Sequence, residues 1–126
     1  ALDMAGQPDQ ALKALKEAAR LHPNWPVPLN SVAWILATSP DAGVRDSQEA
    51  IALAQRALQL SENQNPAVLD TLAAAHASAG QFDRAIQILE QALDIVRGSR
   101  EALVVEFGTR LERYRSGEHY LQEVSK

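Results

Sequence analysis

The chain has 126 residues, of which 46% are hydrophobic and 22% charged, a composition typical of one compact unit around a continuous core. Its formal net charge is −4 with scattered lysines and arginines, so it lacks the positive field with which proteins attract nucleic acid. It contains no cysteine, which excludes disulfides, thiolate metal sites and thiol catalysis, and no apolar run approaches the ~20 residues of a membrane-spanning helix.

The first predicted helix has apolar residues three and four positions apart, which places them on one helical face. These residues are Ala11, Leu12, Leu15, Ala18 and Ala19. The sequence His22-Pro23-Asn24 ends the helix. The chain starts at Ala1 within a helix-like segment that has no start signal, so we expect an upstream part of the protein and an uncovered apolar face before Gln7.

An unusually long turn separates the next two predicted helices. The second helix carries Leu29, Val32, Ala33 and Leu36, and the third carries Ile51, Leu53, Ala54, Ala57 and Leu58. Between Thr38 and Glu49 the chain is several residues longer than at the turn Ala79-Gly80-Gln81, which predicts a surface loop. Asp46 with Glu49 resembles a capping box at the start of the third helix.

The fourth and fifth predicted helices form the next hairpin. Asn65 and Pro66 provide an N-cap and a first-turn proline. The apolar faces consist of Leu69, Leu72, Ala73 and His76, and then of Ile86, Ile88, Leu89, Ala92 and Leu93. Gly80 lies in the turn, as Gly6 does in an earlier turn, where glycine most easily adopts a positive φ. Gly98-Ser99 combines a C-terminal glycine with the next N-cap.

One half-polar helix closes the chain, as a solenoid end requires. Its apolar stripe is Leu103, Phe107, Leu111 and Tyr114, flanked by Arg100, Glu101, Arg110, Glu112, Arg113 and Arg115. Beyond Ser116-Gly117 the tail either folds back, with Tyr120 and Leu121 over the last hydrophobic edge, or frays; we favour a loose contact.

Small residues recur at equivalent points of the repeated pattern. They are Ala33, Ala50, Ala57, Ala73, Ala85 and Ala92. Helices that cross at short range need a small side chain where they touch, so we interpret these alanines as spacers in a stack of helical hairpins.

The pattern resembles the tetratricopeptide repeat family. The residues that carry the resemblance are Leu69, Leu72, Ala73, His76, Gly80, Ala85, Leu89 and Ala92. The resemblance implies an all-α fold, a right-handed superhelical solenoid of antiparallel helix pairs with a C-terminal capping helix. It divides the chain into a partial repeat (1–25), a repeat with a long turn (26–65), a repeat (66–99), and a capping helix with its tail (100–126).

Some positions depart from the family pattern, and others suggest a source. His76 replaces the usual tyrosine, Ala54 replaces a large residue, and Glu62 and Arg97 stand where proline is common, which predicts locally different packing near the long loop. The segments Leu29-Asn-Ser-Val-Ala-Trp-Ile-Leu-Ala-Thr38 and Leu111-Glu-Arg-Tyr-Arg-Ser-Gly-Glu-His-Tyr120 resemble the penultimate repeat and end cap of bacterial members. We therefore expect the C-terminal portion of a bacterial protein.

In this family the first helices of successive repeats line a concave groove, and the resemblance implies a partner-binding site there. Its candidate residues are Asn30, Ser31, Trp34, Thr38, Asp70, Thr71, Ala74 and Ser78. The best-known version of this groove holds a peptide's C-terminal carboxylate with Lys, Arg and Asn. Only Asn30 is of that type here, so such a clamp is disfavoured.

Several of these side chains have a structural alternative. Trp34 either anchors a ligand or, as we favour, packs on the first helix of a neighbouring repeat. Asp70 either accepts hydrogen bonds from a basic or amide-bearing peptide or is a solvated helix residue. We interpret Trp25 as a hydrophobic plug between repeats, and His76 as a packed substitute for an aromatic residue.

We expect no catalytic residue, cofactor or metal, because the histidines share no ligand spacing and no phosphate loop, serine elbow or zinc-helix motif is present. The leading hypothesis is a protein-interaction module that binds a protein or peptide segment on the concave face. The alternatives are a structural segment of a longer array or of a homo-oligomer, self-associating through the N-terminal face, and a non-catalytic appendage of a larger enzyme. Cytoplasm and periplasm are both open as compartments.

Overall fold

A computed structural model describes residues 8–62 and 64–121. All regular elements in these residues are helices: α1 (Pro8–Leu21), α2 (Pro26–Thr38), α3 (Ser47–Leu60), α4 (Pro66–Ser78), α5 (Phe82–Val96) and α6 (Glu101–Arg115). Each helix packs on the next in sequence, and α2 also packs on α4. The predicted all-α fold of repeated helices is therefore confirmed, while Gly6 and the apolar face before Gln7 lie outside the described residues.

Local capping explains where α3 and α4 begin. The Asp46 side chain accepts a hydrogen bond from the Glu49 amide (3.1 Å) at the start of α3, and the Asn65 side chain caps α4 before Pro66. Ser99, predicted to cap α6, does not do so. Its hydroxyl donates to the Val96 carbonyl (3.4 Å) at the end of α5, and Arg100 takes the N-cap position instead. The predicted N-caps of α3 and α4 are thus confirmed, and that of α6 is wrong. The second half of the predicted capping box at α3 is also wrong, because the Asp46 amide donates to the Leu36 carbonyl and not to Glu49.

The long connection between α2 and α3 is the predicted loop, residues 39–46. Its ends are tied together, because the Asp46 amide donates to the Leu36 carbonyl (2.9 Å) and the Arg45 guanidinium donates to the Ser39 carbonyl (3.0 Å). Pro40 and the three residues that follow it are exposed. The additional residues are therefore accommodated at the surface and leave the packing of α2 against α3 intact.

The predicted spacer alanines are all fully buried. They are Ala33, Ala50, Ala57, Ala73, Ala85 and Ala92. Ala54, where the family pattern has a large residue, is also fully buried, and His76 is buried in α4 as expected for a packed substitute, with Nδ1 2.6 Å from the Gln81 amide oxygen. Small side chains at these positions let neighbouring helices pack closely.

Enlarging one of these alanines is expected to destabilise the stack. Ala85→Leu inserts a larger side chain into the fully buried α4–α5 interface and should lower the free energy of unfolding by about 1–3 kcal/mol. Ala52→Leu, on the exposed side of α3, is the matched control and should change it by no more than about 0.5 kcal/mol. Urea unfolding of the two variants measures the difference, and equal stabilities would contradict the packing described.

Substitution by alanine is expected to have opposite effects on stability at two glycines, Gly80 and Gly108. Gly80 has φ +80° in the α4–α5 turn, whereas Gly108 lies inside α6, and an added Cβ would meet no atom within 4 Å at either position. Gly80→Ala should therefore destabilise the chain by about 1 kcal/mol through backbone strain alone. Gly108→Ala should stabilise it by up to about 1 kcal/mol, because alanine is the better helix former. Thermal or urea unfolding should show shifts of opposite sign.

Two surface predictions are wrong. Trp25 is 50% exposed and is not a plug: its amide donates to the His22 carbonyl (3.0 Å), and this tight turn holds the two rings edge to face on the outside. Arg110, predicted on the polar flank of α6, is buried together with Phe107, Leu111 and Tyr114. It is buried because α6 packs so that this guanidinium faces a carboxylate of α4.

Candidate functional site

An open cavity of about 470 Å³ lies between α2 and α4, the first helices of two successive hairpins. Its lining residues are Leu15, Asn30, Ser31, Trp34, Ile35, Ala67, Asp70 and Thr71. Residues of α2 and α4 that are three or four positions apart share a helical face and so line the same side. We call this cavity the α2–α4 groove.

The structure brings together part of the predicted site. Asn30, Ser31, Trp34, Asp70 and Thr71 line the groove. Thr38 and Ala74 are instead buried, with the Thr38 hydroxyl donating to the Trp34 carbonyl (2.6 Å), and Ser78 lies 2.6 Å from Ser47, hydroxyl to hydroxyl. These three therefore belong to the packing of the scaffold.

Sequence reasoning missed Leu15, Ile35 and Ala67 as lining residues. Ala67 lies three residues before Asp70, and this spacing was a signal that could have found it. Ile35 is buried in α2 and follows the predicted Trp34 directly. Leu15 belongs to a preceding hairpin, and its contribution depends on how α1 packs against α2, which no local pattern specifies.

A buried ion pair lies at the floor of the groove. The Arg110 guanidinium donates to both carboxylate oxygens of Asp70, with Nε–Oδ1 2.8 Å and Nη2–Oδ2 2.5 Å. Arg110 is 4% exposed and Asp70 7%. The interpretation of Asp70 as a solvated residue is therefore wrong, and each of its carboxylate oxygens accepts a hydrogen bond from Arg110.

The pair is also electrostatically unusual. Burial raises the pKa of the Asp70 carboxyl to about 6, although the charge and hydrogen bonds of Arg110 oppose this rise. Glu106, one turn before Arg110 on α6, also reaches the guanidinium, at 3.3 Å from Nη1. Because its donors are directed at these carboxylates, Arg110 is not free to hold the carboxylate of a ligand.

Three aromatic rings surround the Arg110 guanidinium. Its Cζ lies 5.5 Å from the centre of the Trp34 ring, 5.6 Å from that of Phe107 and 5.3 Å from that of Tyr120. Tyr120 comes from the tail after α6, and its ring centre lies 5.7 Å from that of Trp34. These distances suit cation–π and tilted aromatic contacts. The tail therefore folds back at Tyr120, which is the first of the two alternatives predicted for it.

A family model described as tetratricopeptide repeat matches residues 43–103, from the loop before α3 to the first turn of α6. The matched segment belongs to the tetratricopeptide repeat family. Tetratricopeptide repeats generally mediate protein–protein interactions and are typically non-catalytic. Searches of curated proteins and of solved structures gave no significant match.

Trp34 packs on the neighbouring hairpin as predicted, whereas its role as a ligand anchor stays a prediction. It is half-buried and packs against the core formed by Val32, Leu36, Ala37, Ala50, Ala74 and Ala75. It also lines the α2–α4 groove. An indole that is fixed by packing on one side loses little freedom when a ligand contacts the other.

Asn30 is a polar residue in the lining of the α2–α4 groove. Its Oδ1 is buried and makes no hydrogen bond with any other described residue. A buried unpaired acceptor costs free energy until a donor reaches it.

Among the described residues, 8–62 and 64–121, no group of three or more His, Asp or Glu side chains is arranged to hold a metal ion. None of the helices in that part of the chain is long and apolar enough to cross a membrane.

Proposed function

We propose that this tetratricopeptide repeat chain is a protein-interaction module that binds an extended or helical segment of a partner protein in the α2–α4 groove. The observation that carries the proposal is the open cavity of about 470 Å³, which is lined by Trp34 and by Asn30, one turn apart on α2; among the described residues no donor reaches the Asn30 Oδ1. Large aromatic side chains at partly buried positions contribute most to binding at protein interfaces.

The groove is also preformed. Its lining residues come from three helices whose cores are packed, so binding a segment orders little of this chain. Asp70 is the charged residue in the lining, and Arg110 neutralises it. The groove therefore suits an uncharged part of a partner segment, with an apolar side chain against Trp34 and a backbone or amide N–H group at Asn30.

The test compares two tryptophans that occupy different surfaces. The groove variant carries Asn30→Ala and Trp34→Ala, and the control carries Trp25→Ala, which removes an exposed tryptophan from the α1–α2 turn. Asp70 stays unchanged, because its removal would leave Arg110 buried without a partner. Immobilised chains are used to capture proteins from a lysate of the source organism, after circular dichroism has shown that both variants are folded.

We expect the control to retain the partner and the groove variant to lose it by about tenfold or more, the effect of removing one interface hot spot. Equal capture by the two variants would contradict the groove assignment. Capture of this chain alone, by both, would favour the structural alternative in which it self-associates.

A further inference from the structure

The tail after α6 returns to the groove through a defined reversal. Gly117 adopts a positive φ of 76°, and its amide donates to the Tyr114 carbonyl (3.0 Å). Arg113 binds the segment that follows this reversal: its carbonyl accepts a hydrogen bond from the Glu118 amide (2.9 Å), and its guanidinium donates to the His119 carbonyl (3.1 Å). The reversal brings the ring of Tyr120 to Trp34.

Trp34 belongs both to the groove lining and to the contact with the tail. The groove and the tail therefore meet at one indole ring. A partner segment that follows the groove towards α6 reaches the place that Tyr120 occupies.

The platform under Tyr120 does not depend on the tail. Asp70 holds the Arg110 guanidinium by two hydrogen bonds, and Trp34 is held by the core around α2 and α3. The face of this guanidinium and the indole ring form a surface on which an aromatic ring is favoured over an aliphatic side chain. The surface would persist if Tyr120 left it.

The tail itself is held less firmly than the platform. Tyr120 and Leu121 are half-buried, and the 4.0 Å ion pair between Arg113 and Glu118 is exposed. Exposed ion pairs contribute little to stability, and segments with few buried contacts open at low free-energy cost.

We propose that Tyr120 occupies, in cis, a subsite for an aromatic side chain of the partner segment, so that the tail and the partner compete for the surface formed by Trp34 and Arg110. This inference rests on the proposed function and names the partner's chemistry: a segment that carries a tyrosine, phenylalanine or tryptophan. The tail is then an internal competitor. The apparent affinity for the partner equals the intrinsic affinity multiplied by the fraction of time that the tail leaves the surface free.

The test uses a small aromatic probe and nuclear magnetic resonance. N-acetyl-tyrosine amide is titrated into the 15N-labelled chain, and the indole N–H signals of Trp34 and Trp25 are followed. Three chains are compared: the original, Tyr120→Ala, and Tyr120→Phe, which retains the ring and serves as the matched control. N-acetyl-leucine amide is the control probe.

We expect the Trp34 signal of Tyr120→Ala to shift to saturation at a probe concentration about tenfold lower than in the original chain or in Tyr120→Phe, with no change at Trp25. The leucine probe should give no comparable shift. Apparent affinities equal within about twofold for all three chains, or an equal response to both probes, would overturn the inference. If Tyr120→Ala does not retain the native spectrum, Tyr120→Leu, which keeps an apolar contact with the core edge, carries the same expectation.

The two proposals fail in different ways. Capture that is lost with the groove variant (Asn30→Ala with Trp34→Ala), combined with probe binding that is insensitive to Tyr120, would leave the interaction function standing and overturn competition by the tail. Capture that is insensitive to the groove variant would overturn the proposed function whatever the probe experiment shows.

Discussion

Arg110→Ala is expected to lower the free energy of unfolding by about 3–5 kcal/mol, the usual cost of removing one partner of a buried ion pair. The substitution leaves Asp70 buried, with neither the two hydrogen bonds nor the positive charge that now compensate it. It also removes the group that Trp34, Phe107 and Tyr120 surround. Urea unfolding, monitored by circular dichroism, measures the change.

Arg97→Ala is the control for this prediction. Arg97 pairs with Asp94 at 3.0 Å, but both side chains are exposed on the surface of α5 and at its end. An exposed pair three residues apart contributes no more than about 0.5 kcal/mol. If the two substitutions had the same small effect, Arg110 and Asp70 would not form the buried pair described.

The cost of Arg110→Ala should also depend on pH. Burial already raises the pKa of Asp70 to about 6, and loss of Arg110 removes the positive charge that opposes the rise, so the folded-state pKa increases further. A carboxyl whose pKa is higher in the folded than in the unfolded chain destabilises the fold at pH values above the folded-state pKa. This lost stability is recovered as the pH falls from the folded-state pKa towards 3.8, the pKa of the carboxyl in the unfolded chain. The difference between variant and original should therefore be smaller at about pH 5 than at about pH 8. A difference that is independent of pH would contradict this cause.

Phe107→Ala should lower the free energy of unfolding by about 3–5 kcal/mol, because it removes a large aromatic side chain from the core and leaves a cavity. Phe107 is 1% exposed, and it joins α6 to the core cluster that contains Leu72, Leu89 and Leu93. Its ring also lies under the Arg110 guanidinium. The substitution should therefore loosen both the capping helix and the floor of the groove, and urea unfolding measures the loss.

Val105→Ala, two residues away on the exposed face of α6, is the matched control for Phe107→Ala. Val105 is 70% exposed, so its truncation should change the free energy of unfolding by no more than about 0.5 kcal/mol. Similar values for the two variants would mean that α6 does not dock through Phe107.

The sequence allowed the helices and their spacing to be predicted, because these depend on neighbouring residues. Apolar residues three and four positions apart identify the buried face of each helix, and Asp46, Asn65 and Gly80 mark ends and turns through their own backbone chemistry. Fully buried alanines such as Ala85 followed from the close approach of packed helices. Within the groove, the positions on α2 and α4 followed from the family resemblance.

The floor of the groove could not be predicted in the same way. Asp70 and Arg110 are 40 residues apart and on different helices. In addition, α6 carries several arginines, and the local sequence pattern does not show which of them faces inwards. The contact of Tyr120 with Trp34 likewise depends on how the tail reverses after α6. The exposure of Trp25 could not be predicted either, because an aromatic residue in a turn is buried or exposed according to the turn's geometry, which is set here by the hydrogen bond to His22.

The most direct test of the interaction function is to locate the partner on the surface by crosslinking. The chain contains no cysteine, so Ser31→Cys in the groove and Gln87→Cys on the exposed side of α5 can each carry one benzophenone label. The labelled chains are mixed with the partner recovered by capture and irradiated. The account predicts a crosslink from position 31 and none from position 87, and a crosslink from position 87 alone would contradict it.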